Sequence, residues 1–237
     1  MDRLIATLQR GWWSIGLYGY RDCRGTYALF PYEGLPPIHQ DLDEAFRWLE
    51  AEPLYENVTT VKVEDVDLKV LDQIVTLPDL RLPSTFTLFV RSPSLQKRIR
   101  SATGCHVDLL QPIPIGEQER GYLLHFFSDH QGCLHWYLYV NAEGDHCVLV
   151  SGYVYGYDKG TNRWICRVNE EEWAYPSFFE LLQEKKEIWY CAPSFSEYLY
   201  RYWLENAIAF DYPNSLTPVQ LAYLEHYQSE KTTTEVT

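Results

Sequence analysis

Between residues 121 and 155 the apolar positions come in short runs separated by turn-forming residues, a spacing that belongs to strands. Tyr122-Leu123-Leu124-His125-Phe126-Phe127 and Leu134-His135-Trp136-Tyr137-Leu138-Tyr139-Val140 flank the pentad Ser128-Asp129-His130-Gln131-Gly132. Asp and Gly favour chain reversal, so an antiparallel hairpin is the economical solution. Asn141 to Asp145 supplies the next turn, before Cys147-Val148-Leu149-Val150. Tyr153-Val154-Tyr155 and Trp164-Ile165-Cys166 add further strands to the expected antiparallel sheet.

Helical spacing flanks this centre. Leu42, Ala45, Phe46 and Leu49 stack on one helical face, with Asp41 and Glu44 at cap and N3 positions and Pro53 as the stop. Residues 58–63, Val-Thr-Thr-Val-Lys-Val, are β-branched and predict a short strand, and a short helix follows from Asp67. Ser84 fits a helix cap with Phe86, Phe89 and Val90 inward, although its β-branched neighbours leave a strand open. Ser177-Phe178-Phe179-Glu180, Ser194-Phe195-Ser196-Glu197 and Thr217-Pro218-Val219-Gln220 each fit a capping box, in which hydroxyl and N3 side chain exchange bonds with backbone N–H groups. After Ser194, the side chains of Phe195, Tyr198, Leu199, Tyr202 and Trp203 form a broad apolar face that should pack on the sheet. Residues 11–20, rich in rings and glycine, suit strands or turns in close contact. The prolines at 78 and 83 mark a boundary. They divide an N-terminal extension packed on the core (1–80) from the main domain (81–228), beyond which residues 229–237 form a frayed tail.

Composition adds bounds to this outline. The 237 residues are 46% apolar and 16% aromatic, ample material for a core. Residues 1–10 resemble neither a secretory signal nor a transit peptide, and no apolar run approaches the roughly 20 residues that cross a bilayer, so a cytoplasmic, non-membrane protein is expected. Six scattered cysteines then read as free thiols. A formal charge of −13 disfavours nucleic-acid phosphates, which need Lys and Arg to displace counterions; it reads either as a device for solubility alone or as a surface that favours encounter with a basic protein. Lys97, Arg98 and Arg100 form the only dense basic patch and read as a solvated helix face.

Candidate chemistry concentrates at Asp129, His130, Cys133 and His135, with His125 nearby. A thiol with an imidazole base, or a zinc site, are the catalytic alternatives there. Against them, His135 sits within an apolar strand pattern, and Asp129 and His130 occupy a turn. Cys105-His106 and His146-Cys147 lack metal-ligand spacing, and no Walker loop, dinucleotide fingerprint, His-Glu-x-x-His or nucleophile elbow is present. No cofactor, metal or catalytic residue is expected. Glu170, Glu171 and Glu172 precede Trp173, an acidic run beside an aromatic anchor. It reads either as a solvated face over core rings or as a surface that meets Lys and Arg on a partner.

Three stretches resemble the SUKH superfamily of immunity proteins and relatives of a fungal cell-wall assembly regulator. Residues 82–89, Leu-Pro-Ser-Thr-Phe-Thr-Leu-Phe, resemble its Leu-Pro-x-x-aromatic opening helix. Residues 121–140, with Gly132 and Trp136, are similar to its central hairpin, and residues 192–199, Ala-Pro-Ser-Phe-Ser-Glu-Tyr-Leu, to its closing helix. The resemblance implies an α+β fold, a twisted, mainly antiparallel sheet flanked by helices, with a SUKH-like domain over 81–228. It also implies protein binding without a family-wide catalytic centre and, for an immunity protein, neutralisation of a toxin domain such as a basic nuclease. A regulatory scaffold of the same fold and a cysteine- or metal-dependent hydrolase are the alternatives.

Overall fold

The computed structural model describes residues 6–15, 17, 26–43, 45–56, 58–77, 80–115, 121–161, 163–168, 171–185 and 187–234. Its centre is the hairpin pair that the apolar runs anticipate. Strands β5 (Gly121–Ser128), β6 (His135–Asn141) and β7 (His146–Ser151) pair antiparallel in succession, and Asp129 caps the first reversal by accepting the Cys133 N–H at 2.7 Å.

Five further strands extend this core into an eight-stranded sheet: β1 (Gln9–Ser14), β2 (Ala28–Pro31), β3 (His106–Val107), β4 (Ile113–Pro114) and β11 (Ile188–Ala192). The order is β2-β1-β11-β7-β6-β5-β3, with β4 also on β5. The pairing is antiparallel except between β1 and β11, where Gln9 lies beside Trp189 and Arg10 beside Tyr190 in parallel. The fold is α+β, and its sheet is mixed.

The central strands are buried on both faces, so successive side chains enter different cores. On β6, Trp136, Leu138 and Val140 point to one core, while Tyr137 and Tyr139 point to the other. The first core is covered by helices: α2 (Asp65–Ile74), α3 (Ser84–Val90), α6 (Phe195–Asp211) and α7 (Pro218–Thr234). Phe195 meets Phe86 and Phe126 edge-on, and Tyr202 meets Phe127, so the capped aromatic helix packs on the sheet through the expected face. The Ser194 hydroxyl accepts the Glu197 N–H at 3.1 Å, but the Glu197 carboxylate turns to Arg201 and Tyr32. Thr217 and Gln220 form the complete reciprocal box. Helix α7 runs to Thr234, into the stretch expected to fray.

The second core is closed by a separate three-stranded antiparallel sheet, β8 (Val154–Asp158), β9 (Arg163–Val168) and β10 (Glu171–Tyr175), and by helix α5 (Phe178–Lys185). These strands do not extend the central sheet, as the sequence pattern predicts, but pack across it. Tyr137 holds the two sheets together: its hydroxyl donates to the Tyr153 carbonyl at 2.7 Å and accepts the Tyr155 N–H at 3.1 Å.

Four local expectations need correction. The helix expected from Asp41 is confined to α1 (Arg47–Glu50), which starts after Phe46 in the left-handed conformation (φ 55°). Asp43, rather than Asp41, accepts the Ala45 and Arg47 N–H groups, and Glu44 lies outside the described residues. Residues 58–63 make one isolated bridge, Thr60 to Arg100, because their neighbour is a loop rather than a strand. At α3 the cap position is Pro83, and Ser84 is already helical. The short helix α4 (Pro93–Gln96) ends before the basic patch. Its arginines are not a solvated face: Arg98 donates to the Glu52 carbonyl, and Arg100 lies between the rings of Tyr55 and Phe210 while bonding Asp211 at 2.8 Å.

Candidate functional site

The acidic run lies at the margin of the small sheet. Glu171, Glu172 and Trp173 fall on β10, the terminal strand of the order β10-β9-β8, while Glu170 lies outside the described residues. Alternation gives the strand two characters. Trp173 and Tyr175 turn toward the second core, where Trp173 meets Tyr153 edge-on with centroids 6.4 Å apart. Glu172 and Ala174 face solvent. Glu172 pairs with Arg167 directly opposite it on β9, so its charge is shared across the rung, whereas Glu171 is exposed at the strand's start opposite Val168. The structure thus brings Glu171, Glu172 and Trp173 onto one strand with its rings anchored and both carboxylates exposed, Glu171 on the Trp173 face and Glu172 on the other. Beside Asp41 and Asp43, by contrast, Phe46 is fully buried and Trp48 nearly so among Tyr200 and Trp203.

The histidine cluster is organised by a residue that sequence reasoning did not single out. Ser128, at the end of β5, donates to Asp108 at 3.1 Å and lies 3.0 Å from both His125 Nε2 and His135 Nδ1. A hydroxyl has one proton, so with that proton on Asp108 both imidazoles donate to Ser128 Oγ. The arrangement commits His135 Nδ1 to Ser128, and the Cys133 sulfur instead contacts Gln131. Burial and the nearby Asp129 raise the Cys133 thiol, the opposite of what an activated nucleophile requires. Burial lowers His125 to about 4 despite the Asp108 carboxylate 3.8 Å from Nδ1, and lowers His135 as well. The signal for Ser128 was available only in part, because its nearness to His135 depends on the hairpin register.

Elsewhere, buried polar groups tie elements together. Glu205 on α6 accepts from Trp12 Nε1 (2.8 Å), Ser14 Oγ (2.9 Å), Tyr223 OH (3.2 Å) and Tyr227 OH (2.6 Å), joining β1, α6 and α7. Among the described residues no group of three or more His, Cys, Asp or Glu side chains is placed to hold a metal ion. Cys105, Cys133, Cys147, Cys166 and Cys191 are free thiols, and Cys23 lies outside the described residues. No described helix is long and apolar enough to cross a membrane. A cleft of about 460 Å³ separates residues 36–40 from α6 and α7; its lining is apolar apart from His39, Gln40, His226 and tyrosines.

No family model, curated protein or solved structure matches the chain.

Proposed function

We propose that the chain is a non-catalytic protein-binding module of the immunity type, which neutralises a basic toxin domain by presenting β10 to it. The observation that carries this reading is the placement of Glu171 and Glu172 on an exposed terminal strand whose Trp173 is held against the second core, in a chain of charge −13. A toxin that acts on nucleic acid carries Lys and Arg for phosphates, and an acidic protein surface can take their place. Its chemistry complements this strand. The internally bonded Ser128 cluster supports the same reading, because it places His135 on Ser128 rather than on Cys133.

Long-range attraction acts on encounter, whereas desolvated contacts act on dissociation. Glu171→Gln with Glu172→Gln should therefore slow association with a toxin encoded beside this chain, and the difference should shrink at 0.5 M salt, where the screening length falls well below the value of about 10 Å that it has at 0.1 M. Trp173→Ala should mainly speed dissociation. Stopped-flow or surface-based kinetics separate the two effects, and co-expression with the toxin reads protection. A folded pair that neither binds nor protects would remove the immunity reading.

A further inference from the structure

β10 has one hydrogen-bonded neighbour among the described residues, β9, and its other long side is the margin of the sheet. A terminal strand offers unpaired backbone groups to any extended segment that can approach, and its side chains determine which segment that is. The cross-strand register defines the pattern here. Val154, Arg167 and Glu172 form one rung, and Gly156, Ile165 and Ala174 the next on the same face. On the opposite face Tyr155, Cys166 and Trp173 line up, and Val168 lies beside Glu171. Continued by one strand, the first rung reads positive at Arg167, negative at Glu172 and positive again at the incoming residue. The Ala174 and Trp173 rungs call for apolar or β-branched residues, and Glu171 for a second base. Opposite charges facing each other across adjacent strands stabilise the pairing, and like charges oppose it.

We infer that β10 accepts an extended basic segment of the partner as a fourth strand, with two consecutive basic residues opposite Glu172 and Glu171 and β-branched residues opposite Trp173 and Ala174. The inference rests on the proposed function and deepens it, by assigning the contact to backbone pairing in a defined register. The carboxylates act as a filter. A second copy of this acidic chain is disfavoured at the edge, and a neutral strand gains nothing from Glu171, so charge complementarity selects a basic occupant.

The test uses the full chain and a labelled peptide, Gly-Ser-Thr-Val-Val-Lys-Arg-Ser-Gly with both ends blocked, which places Lys and Arg opposite the two acids in the antiparallel direction. Fluorescence anisotropy should show saturable binding, and hydrogen exchange should slow at residues 171–175. Two N-methylated forms, one for each alternating set of amides, retain every side chain, and the form blocked on the docking side should bind at least about tenfold more weakly. Replacing Lys-Arg by Glu-Glu should abolish binding. Glu171→Lys should weaken the parent peptide and recover binding of the peptide whose Arg is replaced by Glu. If both N-methylated forms bind as the parent does, the edge inference is overturned, while an acidic binding surface survives. Absence of saturable binding up to about 1 mM, well above the micromolar range of a modest interface, also overturns it, as does a peptide-displaceable dimer of this chain. Toxin protection is scored separately, so failure of the edge and failure of the immunity reading are distinguishable.

Discussion

Glu205 and His125 are both nearly fully buried, and they respond to pH in opposite senses. Desolvation outweighs the four hydrogen bonds at Glu205 and raises its carboxyl above the ordinary 4.5. Glu205→Ala would orphan donors on Trp12, Ser14, Tyr223 and Tyr227, at about 1–3 kcal/mol for each one left dry. A total loss of roughly 3 kcal/mol or more should appear in denaturant unfolding, whereas Glu205→Gln, which keeps an oxygen for the Trp12, Tyr223 and Tyr227 donors, should lose much less. His125 falls to about 4 from an ordinary 6.5, so the unfolded chain binds more protons between those values. Its contribution is present above pH 6.5 and is lost as pH falls toward 4. His125→Gln should remove that part of the slope, measured as the difference between the stability–pH curves of the two proteins. An unchanged curve would mean that the imidazole is not held neutral by burial.

At the scale of elements, α6 and its contacts are the most direct product of the sequence. Phe195 is 1% exposed and touches Phe86, Phe89 and Phe126, so Phe195→Ala should cost about 3–5 kcal/mol in equilibrium unfolding, as expected for a truncated core ring. That helix was legible because cap, period and stop agreed over three turns. So were β5 to β7, whose apolar runs end in Asp-x-x-Gly and Asn-x-x-Gly reversals. The small sheet was legible only as strands. Tyr153, Tyr155, Trp164 and Cys166 carry the same apolar signature as the central strands, and nothing local states that they pack across the sheet rather than beside it. The bonds from the Tyr137 hydroxyl to residues 153 and 155 that decide the matter join β6 to β8 and the residue before it, so neither segment's sequence alone contains them. The failure near Asp41 has a different cause: Asp43 captures the Ala45 and Arg47 amides, and the chain enters α1 only after Phe46 reverses it. In the candidate site, only the nearness of the acids to Trp173 was legible; that Glu171, Glu172 and Trp173 lie on a strand, and that this strand is terminal, depended on topology.

Across the whole molecule, β1 has the strand partner that lies furthest away along the described chain. It pairs with β2 on one side and, on the other, with β11. The Trp12 and Ser14 side chains on β1 reach the Glu205 carboxylate from α6. During synthesis this strand leaves the ribosome long before β11 and Glu205 exist. At about 5–20 residues per second, β11 follows β1 by roughly 10–35 s, a long interval compared with local helix or hairpin formation. The aromatic strand Gln-Arg-Gly-Trp-Trp-Ser must therefore spend that time without its inner neighbour, exposed to chaperones or to other nascent chains. Ribosome-bound chains halted before residue 188 should remain protease-sensitive around residues 9–14, and protection should arrive only after β11 and α6 have cleared the exit tunnel. Early protection in the halted chains would show that β1 finds a stable shelter without the strand that flanks it in the finished protein.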